Sequence, residues 1–199
     1  NVPYCLEVDQ EVRIYEKLIG RSDFDSHIAP HTLQVAAMFS VLSRLKPSNK
    51  VDALTKMKIY NGQEIVEKGL IKKVDIKDLR EEVEDEGMTG ISTRFIMKAI
   101  DAALADSTKN MITPISIRES LIKQVKEQIV NPDERSRCLA FLQKVLHEEY
   151  LSILEKEITK AFVTAYEEQA ESLFNNYLDH AEAYVNSTKV KDRVTNEEM

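Results

Sequence analysis

The residues able to do chemistry are few, and one segment concentrates them: Glu86-Gly87-Met88-Thr89-Gly90-Ile91-Ser92-Thr93-Arg94-Phe95. Gly87 and Gly90 permit a tight approach loop. Ser92 is of a type that caps helix N-termini, which puts Arg94 in the first turn of the helix that follows. The helix dipole opposes a cation there, so helix stability does not explain Arg94. A guanidinium presented this way can reach a phosphate with its planar fork. An ordinary surface arginine is the alternative that the residues leave open.

The other candidates are weaker. His27 and His31 have helix-like spacing, but Pro30 lies between them at a helix start, so the pair need not share a face and no metal site is expected. His147 and His180 lie among acids and read as solvated. Ser152 and Lys156, four apart, have the outline of a Ser–Lys dyad. Lys activates Ser only when desolvated, and Glu155 and Glu157 flank this one and keep it protonated. The sequence holds no GxxxxGK[ST], GxGxxG, HRD or DFG, so nothing in it can bind a nucleotide or run kinase chemistry alone.

The elements that must hold the Gly90–Arg94 loop read as helices. Asp9 can cap a helix through Val12, Tyr15, Leu18 and Ile19, ending at Gly20. Pro30 can open a second, His31 to Leu45, stopped by Pro47 and apolar around most of its girth, hence buried. Ser92 caps a third, Thr93 to Ala105. Ser116 with Glu119 suggests a capping box for a fourth, running to Ile129. Asn131-Pro132-Asp133-Glu134 starts a last helical region, and no Gly or Pro follows Pro132. Its apolar residues recur at three and four, and a bend or break is expected near Glu167–Glu171 in a rod reaching about Ser187. Between Pro47 and Glu86 the pattern is irregular. Asn61-Gly62 gives a hairpin signal between Met57–Tyr60 and Gln63–Val66, with a plain turn as the alternative. Asp75–Glu86, with seven acids against two bases, reads as a solvated helix or flexible connector.

Composition bounds the class. The 199 residues carry 27 Lys plus Arg against 34 Asp plus Glu, a net charge of −7, which argues against a nucleic-acid binder. An apolar fraction of 43% suffices for a core, and five Gly, five Pro and no Trp argue against a turn-rich β fold. Cys5 and Cys138, with no CxxC, read as reduced thiols of a cytoplasmic protein. No apolar run approaches a membrane span, and no membrane partner is expected. The first residues lack the pattern of a signal peptide, and the chain reads as a piece of a larger protein.

Gly90-Ile91-Ser92-Thr93-Arg94 followed by an apolar helix resembles the sensor 2 motif of AAA+ ATPase lids, in its Gly-x-Ser-x-Arg form. More broadly, the chain resembles the bacterial PrkA family, named as serine protein kinases and built on an AAA+ module. The likeness runs through Val2-Pro3-Tyr4, Glu11–Ile19, His27–Leu45, Lys56–Gly62 and Asp85–Phe95. It continues through Glu148–Tyr150, Lys156–Ile158, Ala161-Phe162, Tyr166–Glu168 and Asn176–Leu178. The resemblance implies a mainly α fold: a helical AAA+ lid-like bundle, then long C-terminal helices, with at most one small β-hairpin. It implies first lid helices over 1–46, an insertion or connector over 47–86, and the sensor 2 loop and helix over 87–112 within a lid ending near Asn110. The first part of the family's C-terminal helical domain would occupy 113–199. A Walker-type core would precede this region, and a further helical part would follow it.

The resemblance implies Arg94 as the nucleotide-sensing residue, supported by Gly90 and Ser92, with no catalytic residue and no metal site in the fragment. ATP and Mg are the implied cofactors of the full-length protein, neither expected bound to the fragment. Implied partners are a protein substrate and further copies of the chain, and the implied role couples ATP in the core to protein phosphorylation. The alternatives are a non-catalytic helical interaction or oligomerisation module, its long helix docking a partner along Leu142–Leu173, and part of an ATP-dependent protease.

Overall fold

The computed structural model describes residues 2–21, 27–67, 70–71, 75–105 and 111–186. The fold is mainly α, and the chain divides into two compact units, residues 1–149 and 150–199. The expected ends near Asn110 and Ser187 lie outside the described residues.

The first unit is arranged around one buried helix. Helix α1 (Val8–Ile19) packs on α2 (Thr32–Arg44), and α2 also touches α3 (Ala53–Tyr60), α5 (Thr93–Ala105) and α6 (Pro114–Gln128). The sequence of α2 is apolar on every side because every side meets another element. Val35, Ala36, Ala37, Phe39, Val41 and Leu42 are all shut off from solvent. Burying a side chain the size of Phe39 contributes about 1.5–3 kcal/mol. His31, at the N-cap position, takes a left-handed conformation (φ 64°), and its ring Nδ1 lies 2.9 Å from Gln34 Oε1.

Helix starts are capped as expected at two places and differently at two others. Ser92 Oγ accepts the Phe95 N–H, and Asn131 Oδ1 accepts from Asp133 and Glu134 at the start of α7 (Pro132–Ala140). Asp9, however, lies inside the first turn of α1, where it complements the dipole. Asn61 Oδ1 takes the Asp9 N–H at 3.0 Å, so the cap arrives from 52 residues away. In α6 the capping box is formed by Thr113 and Ser116 rather than by Ser116 and Glu119. Pro114, without an N–H to satisfy, fits the first helical position and thereby makes Thr113 the cap.

The stretch after Pro47 is ordered by its own small core. Met57–Tyr60 is not a strand: it is the end of α3, and Asn61-Gly62 terminates that helix. Gly62 (φ 73°) donates to Ile59 O and Gln63 donates to Lys58 O, the two bonds of a Schellman ending. The hairpin lies one step later, as β2 (Val66–Glu67) and β3 (Leu70–Ile71), antiparallel. Helix α4 (Ile76–Glu81) brings Leu79 against Val51 and Ile59, with Ile65 and Ile76 alongside. One strand pair was not anticipated: β1 (His27–Ile28) runs parallel to β4 (Met111–Ile112).

The acids of residues 75–86 are partly structural rather than a solvated run. Glu86, nearly buried, accepts from Lys56 Nζ at 2.5 Å, from the Tyr60 hydroxyl at 2.7 Å and from the Lys46 N–H at 2.9 Å. Burial and the Glu86 charge push the Tyr60 phenol well above its usual pKa. Glu82 accepts from the Ser48 hydroxyl and the Asn49 N–H, and these bonds hold its carboxyl below the usual range.

The last helical region is interrupted earlier than expected. A π-helical turn at Phe141–Val145, closed by Leu146 N–H to Phe141 O, separates α7 from α8 (Leu146–Asn186). Its extra residue sets the phase so that Cys138, Leu142 and Leu146 are all buried. No break occurs at Glu167–Glu171, where α8 continues as helix and the Glu, Gln and Ala residues favour it. Arg137 donates to Leu42 O and Leu45 O, placing a cation at the C-terminus of α2. Among the described residues no helix is long and apolar enough to cross a membrane.

Two ion pairs of the first unit should respond differently to deletion. Lys56→Ala strands a buried carboxylate and is expected to lower unfolding free energy by about 3–5 kcal/mol. Lys50→Ala, which breaks the exposed pair with Asp78 at 3.8 Å, should change it by about 0.5 kcal/mol or less. Urea titration measures both, and similar losses would overturn the contrast.

Candidate functional site

The loop before α5 is held by its neighbours at the backbone. Arg44, at the end of α2, is fully buried, and its Nε and Nη2 both donate to Ile91 O at 3.0 Å. Its guanidinium also forms a two-pronged pair with Glu11 of α1, at 2.9 and 2.8 Å, and donates to Cys5 O. The Tyr4 ring lies 4.7 Å from the Arg44 guanidinium carbon. The preceding peptide link is fixed as well: the Ile91 N–H donates to Ser43 Oγ at 2.9 Å. Both polar groups of Ile91 are therefore committed to α2, and the fork on Glu11 ties them to α1.

Gly90 makes this approach possible. At φ 117° it occupies a conformation closed to side chains, and a Cβ there would stand 2.8 Å from Arg44 Cγ and 2.9 Å from Ser43 O. Past the loop, Ser92 caps α5, and the Thr93 hydroxyl points to Glu11 Oε1 at 3.4 Å. From α6, Gln124 donates to Phe95 O and Ser120 to Ala99 O. Arg94 stands in the first turn of this braced helix, exposed, with no hydrogen bond or ion pair to a described residue. Chemically, the arrangement is a guanidinium displayed from a helix start whose backbone cannot shift independently of α1 and α2.

The remaining candidates are dispersed. His27 is exposed on β1 and His31 begins α2; the two do not form a ligand cluster, and no group of three or more His, Cys, Asp or Glu suited to a metal occurs among the described residues. His147 is exposed as expected, and its Nδ1 also meets the Arg118 guanidinium. His180 has interactions of its own. Ser152 and Lys156 line a shallow depression along α8 with Glu155, Thr159 and Lys160, and Lys156 is exposed rather than desolvated. Both cysteines are free thiols; burial, helped by the Glu134 charge, pushes Cys138 up to about 11. Glu11, Ser43 and Arg44, which set the loop, were not singled out from the sequence. The available signal was a Glu one turn ahead of Tyr15 on the apolar face of α1, and an Arg ending an otherwise apolar helix.

Gly90 and Gly62, two of the three glycines at positive φ among the described residues, allow a test of this packing. Gly90→Ala must displace Arg44 and should cost about 2–5 kcal/mol, combining strain and overpacking. Gly62→Ala meets nothing within 4 Å and should cost only about 1–2 kcal/mol for its left-handed backbone. Equal losses in thermal or denaturant unfolding would contradict the tight contact at Gly90.

Comparison with known proteins places this chain in a family. Residues 1–52 match the PrkA AAA domain, and residues 54–199 match the PrkA serine protein kinase C-terminal domain. A Bacillus subtilis relative named ATP-dependent protease PrkA is 42% identical over 202 residues, covering 100% of this chain and 31% of that protein. An Escherichia coli K12 relative named Serine/threonine kinase YeaG is 30% identical over 195 residues, covering 96% of this chain and 30% of that protein. The chain thus spans under a third of the length of these relatives. No solved structure matches it significantly. With both family domains represented and almost every residue matched, the chain belongs to the PrkA family.

Proposed function

We propose that this chain is the lid and C-terminal coupling segment of a PrkA-type ATPase, with Arg94 as its nucleotide-sensing residue. The observation that carries the reading is the contrast within one loop. The Ile91 peptide groups are fixed by Ser43 and Arg44, whereas the Arg94 guanidinium three residues later is exposed and unpaired. An unpaired guanidinium on a rigid helix start suits a phosphate oxygen, since it can form charge-assisted bonds without first breaking others. ATP with Mg, held by a Walker-type core elsewhere in the full-length protein, would supply that phosphate and the phosphoryl-transfer chemistry. Residues 1–46 and 87–112 would then act as lid helices, with 47–86 an insertion and 113–199 the start of the C-terminal domain.

The coupling follows from the bracing. A pull on Arg94 passes through α5 to Ile91, from there to Arg44, and through Glu11 to α1, so the helices would turn together. The output of that motion is protein phosphorylation in this reading, with a protein substrate as partner. Proteolysis is the second reading, favoured by the name of the Bacillus subtilis relative.

Three measurements test the proposal. Arg94→Ala in the full-length protein should remove a contact of about 2 kcal/mol, weakening ATP binding or slowing hydrolysis about 30-fold. Wild-type values for both would overturn the assignment. The 199 residues alone, which contain no P-loop, should show no tight ATP binding by calorimetry. With radiolabelled ATP and a candidate protein substrate, label transfer supports the kinase reading, and cleavage without transfer supports the protease.

A further inference from the structure

Two partly buried polar contacts tie the last helical region to the loop that carries Arg94. The first lies at the C-terminus of α2. That helix ends at Leu45 in extended backbone, without a glycine cap, and residues 42–45 are buried, so its last carbonyls cannot turn to water. Arg137 of α7 supplies donors from 92 residues away: its Nη2 bonds to Leu42 O at 3.5 Å and to Leu45 O. The Phe141 ring, at the start of the π-helical turn, lies 5.4 Å from the same guanidinium carbon. Between the two carbonyls are Ser43 and Arg44, whose side chains hold the Ile91 peptide groups. One short stretch of α2 therefore grips the Arg94 loop with its side chains and α7 with its backbone.

The second contact reaches the same loop from its other end. Glu149, in the first turn of α8, pairs with Lys58 of α3 at 2.7 Å. Lys56, two residues earlier and about 200° around that helix, pairs with Glu86 at 2.5 Å. Glu86 directly precedes Gly87, so α3 stands between the first turn of α8 and the start of the loop. A third contact, Arg118 with His147, lies in the open. Phe141, Leu142 and Leu146 are buried here as well. Apolar contact is non-directional and permits a small slide, whereas a hydrogen bond loses strength quickly with distance and angle. We propose that Arg137 and Glu149 are positioning residues that convey the state of the Arg94 loop to the first turn of α8. The proposal rests on the nucleotide-sensing reading of Arg94. A shift of the loop would pass through Ser43 and Arg44 to the end of α2 and on to Arg137. It would also pass through Glu86 and α3 to Glu149, so the π-helical turn between the two would move with it. Chains of bonded and packed groups of this kind carry coupling between distant sites.

Amide hydrogen exchange of the full-length protein, with and without a non-hydrolysable ATP analogue and Mg, tests this. In the unsubstituted protein the nucleotide is expected to slow exchange both at residues 90–98 and at residues 142–149. Arg137→Ala, and separately Lys58→Glu, should keep the response at 90–98 and reduce the response at 142–149 about threefold or more. The charge swap, Lys58→Glu with Glu149→Lys, should recover about half of the loss or more, and it keeps the test decisive if Arg137→Ala does not fold. A merely structural role would speed exchange of α7 and α8 equally in both states and leave the nucleotide-dependent difference intact, which would overturn the proposal. So would a swap that recovers nothing, or an unsubstituted protein in which 142–149 ignores the nucleotide while 90–98 responds. If 90–98 does not respond at all, or responds unchanged in Arg94→Ala, the reading of Arg94 fails and the proposal falls with it.

Discussion

The first unit depends on a single buried guanidinium. Arg44 loses its hydration entirely, a cost that could not be sustained by one partner. Its donors are instead shared among the Glu11 carboxylate, the Ile91 carbonyl and the Cys5 carbonyl, with the Tyr4 ring nearby. Those partners lie on three separate stretches of chain besides α2 itself. Satisfying the ion therefore fixes the N-terminal segment, α1, α2 and the loop before α5 at once. Tyr15 reinforces the arrangement. It is buried beside Glu11 and bonded to Ser40, and both burial and the Glu11 charge raise its phenol far above the usual range.

A second buried pair does the same for the stretch after Pro47. Lys56 and Glu86, with Tyr60 and the Lys46 backbone, connect α3 to the residues just before Gly87. Lys58 and Glu149 connect α3 to the first turn of α8 at 2.7 Å. The charges that matter here are few and desolvated, whereas the exposed pairs on the same surface are spaced at 3.4 Å and beyond. Net charge records neither distinction.

Helices were legible in the sequence where local physics decides them. The apolar girth of α2, the Ser92 cap and the Asn131-Pro132 start all express short-range rules, and the structure follows them. Asn61-Gly62 was ambiguous because a hairpin turn and a Schellman ending both demand a left-handed glycine after a polar residue. The apolar contacts of Met57 and Tyr60 decide for helix, and those contacts are tertiary. The roles of Glu11, Arg44, Lys56 and Glu86 were hidden for a related reason. A charged side chain reads as solvated until the fold supplies its counterion, and each of these finds its partner at least 30 residues away. Arg94, by contrast, was legible because it breaks a local rule, a cation at the positive end of a helix.

Asn61-Gly62 also bears on the chemical durability of the chain. An asparagine followed by glycine is the dipeptide most prone to cyclise, the glycine amide nitrogen attacking the side-chain amide carbon and expelling ammonia. Here the Gly62 nitrogen donates to Ile59 O at 3.0 Å, while the Asn61 side chain is held by the Asp9 N–H. Both reactants are thus oriented toward other partners by the same bonds that end one helix and begin another. The fold shelters its most perishable peptide link, and local opening at α3 rather than solvent exposure becomes the step that would set its rate of ageing.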